Sequence, residues 1–370
     1  MNEILAAHLT PSQIIMDIMV LFMLAGAVDS IFGNRLGMGK QFTEGFAAFG
    51  SIAVTMTGVL VLVPLISTHL GPVISPLFEA VGVDPAMFAG AILACDMGGW
   101  PLAEELANSP EAAGLGGMIL SSMMGVNIVF NIPVALGILD KKDFPAMSRG
   151  ILCGFITIPV GCLIGGLTAG YSLSVILRNL IPVIVFSLII SLMLRFLPEI
   201  TTKIFLIFGK IIGIAATLAA AVSIASHLTG ITLIPGLGSA VDAMDVLVSI
   251  ILVLPGAYVM VSVVSKLLEK PFSKIGGLLG INDKSTLGLI ASLANCVPTF
   301  GLVKDMDERG KVVNFAFLTA AGFVLGDHLA FCSAMDQTLV VPMIIAKLTS
   351  GVSAVAVALW MTRSAVRSAD

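Results

Sequence analysis

Cys95-Asp96-Met97-Gly98-Gly99-Trp100-Pro101 ends an apolar run that starts at Phe88, and the run reads as lying at membrane depth. Two glycines, a tryptophan and a proline cannot continue a regular helix without cost. Inside a bilayer an unwound backbone persists only where protein buries it or water reaches it. An ionisable residue at that depth, here Asp96, points to function. Far along the chain, Asn295-Cys296-Val297-Pro298-Thr299 has the same character. Paired broken segments in the two halves of a membrane protein point to a transport site.

The rest of the composition agrees with a membrane setting. Of the 370 residues, 57% are hydrophobic and 11% charged, against about 25% charged in soluble domains. The mean hydropathy of +1.06 makes this an all-α polytopic membrane protein. A net charge of -4 and the lack of any basic stripe exclude a nucleic-acid partner. No Lys or Arg precedes Arg35, so the N-terminus lacks the charged region of a secretory signal and the first apolar run is expected to stay as a membrane helix. Cys95, Cys153, Cys162, Cys296 and Cys332 lie in or beside apolar runs without a C-x-x-C pair. They read as small apolar residues, and no disulfide, metal or cofactor is assigned.

A spanning helix needs about 20 apolar residues. Candidate spans are 13–33, 43–69, 112–138, 146–170, 173–197, 202–228, 245–266, 312–334 and 339–361. Residues 71–82, with Pro72 and Pro76, read as a short interfacial segment, and 270–280 as its counterpart. Positive charge sets orientation. Arg35 and Lys40 place the first loop in the cytoplasm and the N-terminus outside; Arg363 and Arg367 place the C-terminus inside. Region 70–111 carries no Lys or Arg, while Lys141, Lys142 and Arg149 should be cytoplasmic. Those charges agree only if 84–107 dips into the membrane and returns. Residues 283–303 lie between Lys284 and Lys304 and should do the same from the cytoplasmic side.

The expectation is nine spanning helices and two re-entrant hairpins in an inverted-repeat-like arrangement. The N-terminal half is 1–170, with the hairpin at 84–107; the C-terminal half is 171–370, with the hairpin at 283–303. Asp84 to Cys95 as helix would rise roughly 18 Å, about half of a bilayer core. Asp84 and Asp283 read as N-caps of the two entering arms. Gly82 and Gly90 recur at Gly280 and Gly288, and Gly125 pairs with Gly322.

Arms that end at the midplane aim carbonyl ends at the centre, where they suit a cation. Asp96 adds a full charge there, or caps the broken backbone. Asn127 and Asn131 share a helix face. They read equally as site residues and as interhelical hydrogen-bond partners. Asp327 and His328 sit together at mid-helix, with side chains about 100° apart, so both should not face one small ligand. Trp100 could stack on a cation, or fill space. Asn295 and Thr299 belong to the second break. Glu104 and Glu105 read as solvated, and Asp29 and Glu44 as interfacial. Substrate-binding candidates are thus Asp96, Trp100, Asn127, Asn131, Asn295, Thr299, Asp327 and His328. No cationic group is apparent near either break. The set suits a small cation or a neutral polar solute.

Ala94-Cys-Asp-Met-Gly-Gly99, Val129-Phe-Asn-Ile-Pro-Val-Ala-Leu-Gly137, Thr157-Ile-Pro-Val-Gly-Cys162, Asp305-Met-Asp-Glu-Arg-Gly-Lys-Val312 and Leu325-Gly-Asp-His-Leu329 resemble the EutH family, the ethanolamine permeases of bacterial ethanolamine-utilisation operons. The resemblance covers nearly the whole chain. It implies a bacterial inner-membrane protein that passes ethanolamine inward and is not an enzyme, with membrane lipid as its surroundings and homo-oligomerisation left open. Trp100 stands where the family pattern suggests phenylalanine, and Asn127 and Asn131 where it suggests hydroxyl residues. Two rival classes are a membrane-embedded aspartyl protease and a sensor that binds a solute without moving it. The protease would need Asp96 and Asp327 to share a proton, but Val324 stands where its motif has glycine.

Overall fold

The computed structural model describes residues 10–363, and among them every regular element is helical. Arg367, used above to orient the C-terminus, lies outside the described residues, as do the first nine. Seven continuous helices are long and apolar enough to cross a membrane. In chain order they are α1 (Pro11–Ile31), α2 (Met38–Glu79), α7 (Phe144–Thr168), α8 (Leu173–Phe196), α9 (Pro198–Thr229), α10 (Ala240–Leu279) and α15 (Val340–Met361). The shorter elements between them are α3 (Ala86–Ile92), α4 (Gly99–Leu106), α5 (Pro110–Ala113), α6 (Ile132–Ile138), α11 (Asp283–Ala294), α12 (Cys296–Leu302), α13 (Glu308–Ala321) and α14 (Asp327–Met335).

Two sequence expectations merge. The 43–69 span and the interfacial 71–82 segment are one helix, α2, which runs through Pro64, Pro72 and Pro76. Likewise 245–266 and 270–280 form α10, which runs through Pro255 and Pro271. At 1.5 Å per residue each is about 60 Å long, twice a bilayer core. Local breakers lose here because tertiary packing holds the flanking turns.

The expected spans 112–138 and 312–334 are interrupted. Residues 110–138 pass from α5 through wide π-type turns at Gly114–Leu120 and Asn127–Asn131 into α6. Such turns gather at functional sites. The other span stops at Ala321 and resumes at Asp327, with Phe323 at φ 63° between them. A bulky residue in the left-handed region is a genuine outlier. Hydrogen bonds hold it there: Phe323 N donates to Ser292 O and Leu325 N to Leu293 O, both at 2.9 Å. Those carbonyls lie in the last turn of α11, so two of the arm's terminal acceptors are filled by protein.

Both breaks expected from sequence are present, with altered arms. The first arm, α3, has 7 residues, about 10 Å of rise, not the 18 Å expected. Leu93 is already extended, with φ -120° and ψ 143°. Asp84 caps from just outside the arm, its Oδ1 accepting from Ala86 N and its Oδ2 from Asn108 N. In the second arm the cap is Asn282 rather than Asp283; its Oδ1 accepts from Ser285 N at 2.9 Å. Gly98, at φ 90°, turns the chain into α4.

Gly125 lies against the Leu93 carbonyl, and Gly326 against the Ala294 carbonyl, too close for any Cβ. Gly322 instead stands against the carbonyl of Leu318 in its own helix, 2.6 Å from where a Cβ would lie. Behind the breaks, α7 packs between α13 and α15. A Cβ on Gly161 would stand 2.7 Å from Ala346 O, and one on Gly165 would stand 2.6 Å from Ala346 Cβ. Small residues that let backbones approach are the usual adhesive between membrane helices. This contact sets the depth of the next residue on α15, Lys347.

Candidate solute site

The two breaks and the two interrupted spans meet at one chamber. One lobe, of about 270 Å³, is lined among others by Met56, Asp96, Phe130, Phe323, Asp327 and His328. The adjoining lobe, of about 220 Å³, shares Met56, Asp96, Phe130 and Asp327, and adds Tyr258, Asn295 and Phe331. The Asp96 side chain keeps 24% of its surface exposed, and it lines both lobes.

Asp96 sits in the single turn after the first break, where the Ala94 carbonyl takes both Met97 N and Gly99 N. Asp327 opens α14, where helix N–H groups favour a carboxylate; Tyr258 OH donates to its Oδ1 at 3.4 Å. His328 is 1% exposed. Its Nε2 faces Asp96 Oδ1 at 3.9 Å, and its ring lies 5.1 Å from that of Phe323. Asp327 and His328 thus line the chamber together, contrary to the expectation from mid-helix geometry. At the head of a short helix their neighbours on two sides belong to the same cavity.

The group that the sequence reading missed is Lys347, which is 1% exposed. Its Nζ lies 3.1 Å from His328 Nδ1 and also donates to the Ser122 carbonyl. With Lys347 charged, which makes it a donor only, Nδ1 accepts and Nε2 carries the hydrogen towards Asp96. Signals for this existed: a lone lysine inside the apolar 340–361 run. In sequence, however, it lies 19 positions from His328 and far from either break.

Of the remaining candidates, Asn295 alone reaches the chamber. Asn127 and Asn131 stitch helices together. Asn131 Nδ2 donates to Asn127 Oδ1 at 2.9 Å, and Asn127 Nδ2 donates to Thr319 O at 2.7 Å, across to α13. Neither lines the chamber, whose contributions from this stretch are Val126 and Phe130. Thr299 Oγ1 is spent on Gly288 O. Asn295 reaches the chamber, and its Oδ1 also caps α12 through Val297 N. Trp100 lines a separate cavity of about 460 Å³ with Glu104 and Asp336. The aromatic faces at the chamber itself are Phe130, Phe323, Tyr258 and Phe331. Asp29, read as interfacial, holds the turn after α1 by accepting from Leu36, Met38 and Gly39 N.

Cys95, Asp96 and His328 each bring a potential ligand atom within 4.8 Å of the others. Lys347 opposes a divalent metal there: its Nζ lies 3.1 Å from the other ring nitrogen of that histidine. A divalent ion would also bring excess positive charge beside the resident ammonium.

Comparison with known proteins places this geometry in a family. A family model for the ethanolamine utilisation protein EutH matches residues 12–361. The probable ethanolamine permease EutH of Listeria monocytogenes is 48% identical over 350 residues, covering 95% of this chain and 94% of the relative. The Escherichia coli protein of the same name is 43% identical over 388 residues, covering 95% of each. An uncharacterized Bacillus subtilis protein, YxeR, is 40% identical over 354 residues, covering 96% of each. No solved structure matches the chain. By the extent of the match and the identities, the chain belongs to the EutH family of ethanolamine utilisation proteins.

Proposed function

We propose that the chain is a permease, not an enzyme, that carries ethanolamine across the bacterial inner membrane. The names of its relatives support this reading. The observation that carries it is the charge inventory of the chamber. Asp96 and Asp327 line it as two formal negative charges, and Lys347, which contacts His328 from behind without lining either lobe, is one formal positive charge. One monovalent cation completes the balance, and buried charges need partners. Protonated ethanolamine is such a cation, small enough for the chamber.

Within it, Asp96 and Asp327 hold the ammonium and His328 meets the hydroxyl or acts as a proton-sensitive gate. Phe130 and Phe323 supply the aromatic face that sequence alone assigned to Trp100. Asn295 offers amide contact at the second break, while Asn127, Asn131 and Thr299 support the walls. The segments 84–107 and 283–303 are re-entrant hairpins from opposite faces of an inverted repeat, with the N-terminus outside and the C-terminus in the cytoplasm. Gly90 packs on Gly116, and Gly288 on Asn314, the second pair repeating the first 198 positions on. That recurrence supports the halves 1–170 and 171–370.

Radiolabelled ethanolamine flux into proteoliposomes tests the reading. Saturable uptake that an excess of unlabelled ethanolamine abolishes is expected. Saturable binding without flux would leave a sensor instead.

A further inference from the structure

We propose that a basic cavity at the bend between α8 and α9, remote from the solute chamber, binds the phosphate of an anionic phospholipid headgroup. The cavity, of about 800 Å³, is lined by Lys141, Arg149, Arg195 and Lys203, with Glu199 as its one carboxylate. All four cations are exposed. Among the described residues none stands within ion-pair distance of a carboxylate; the recorded pairs use Lys40, Lys142, Lys311 and His328. Arg195 lies 5.9 Å over the ring of Phe196. Four exposed cations around one cavity set up a local positive potential that attracts an anion.

The occupant is a lipid rather than a soluble anion because of the wall beside the cations. Phe196 is 70% exposed, and Ile200, Ile204 and Leu192 are about half exposed, on helices that read as membrane spans. The cavity thus joins a cationic floor to an outward apolar face, matching a phosphate with acyl chains attached. Ser148 and Thr202 also line it. The charges lie on the side that positive-charge bias assigns to the cytoplasm, and basic pockets between membrane helices on that side hold anionic headgroups.

The test uses the full chain in detergent, titrated with phosphatidylglycerol, phosphatidylcholine or inorganic phosphate and read by native mass spectrometry. The wild type should retain phosphatidylglycerol over phosphatidylcholine. Combined Arg149→Gln, Arg195→Gln and Lys203→Gln should weaken that retention about a hundredfold, at the usual contribution per surface cation. Combined Lys266→Gln, Lys270→Gln and Lys274→Gln, removing equal charge elsewhere, should not. Glu199→Gln, which carries little folding risk at an exposed site, should strengthen retention about fivefold. Equal retention of the two lipids, equal loss in both triple variants, or no effect of Glu199→Gln would overturn the proposal. So would displacement of the lipid by inorganic phosphate at equal concentration, which would make a soluble anion the occupant.

Discussion

Lys347 Nζ lies 3.1 Å from His328 Nδ1, and on the far side of the same ring Nε2 faces Asp96 at 3.9 Å. The imidazole stands between the buried Lys347 amine and a carboxylate, and a charged Lys347 would put the ring hydrogen on Nε2. Any movement of the first break relative to α14 and α15 changes this alignment, so the site's charge is tied to its geometry.

Lys347→Met should leave the Ser122 carbonyl without its donor and His328 without a set tautomer. Breaking a buried charged contact costs about 3–5 kcal/mol. A lower thermal midpoint and at least a tenfold loss of ethanolamine uptake are expected in proteoliposomes. Wild-type uptake and stability would show that the ammonium is dispensable.

Asp96→Asn should weaken ethanolamine binding while the protein still folds. A hydrogen bond to a charged group contributes about 1.5–3 kcal/mol, which corresponds to a ten- to hundredfold loss of affinity. Unchanged affinity in a well-folded variant would assign Asp96 to capping the broken backbone alone.

His328→Gln and Asp327→Asn should separate gating from charge recognition. The first variant removes the ring that bridges Lys347 and Asp96 and should alter the shape of the uptake profile between pH 5 and 8, and the second should lower affinity at every pH. A His328→Gln profile superimposable on wild type removes the imidazole from the mechanism.

Lys311 forms a lock outside the chamber, its Nζ 2.8 Å from Asp143 and 2.6 Å from Glu308. Burial pulls this ammonium's pKa down, but the two carboxylates outweigh it and hold the group above its ordinary value. A raised cation contributes stability below its unfolded pKa and loses it only as pH rises through the folded one. Lys311→Met should lower the thermal midpoint at pH 7, and the wild-type contribution should persist through pH 9; an unchanged midpoint in the variant would show the pairs to be passive.

Glu105→Cys and Lys142→Cys, each on a cysteine-free background, should label from opposite faces with an impermeant maleimide. Both positions are exposed, and Ser109 is avoided because its Oγ caps α5 through Ala112 N. Labelling of Lys142→Cys from outside would mean that 84–107 spans the membrane.

The membrane class, the breaks at Asp96 and Asn295, and the ionisable pair Asp327 and His328 amid apolar residues were legible in sequence. Each is a local signal: apolar run length, helix-breaking residues, and ionisable groups amid hydrocarbon. Tertiary structure alone decided the rest. Proline cannot reveal that neighbouring helices will carry α2 and α10 through it. The interruption at Phe323 exists because Ser292 and Leu293, from another element, accept its backbone hydrogen bonds. Asn127 and Asn131 read as site or scaffold until Thr319 O appeared as the acceptor for Asn127, and Asn127 as that for Asn131. Lys347 looked like an isolated charge until the close approach of α7 and α15 set its depth beside His328. Periodicity and composition report what each segment prefers by itself. Which buried charges share one cavity depends on long-range packing, and no single segment encodes that.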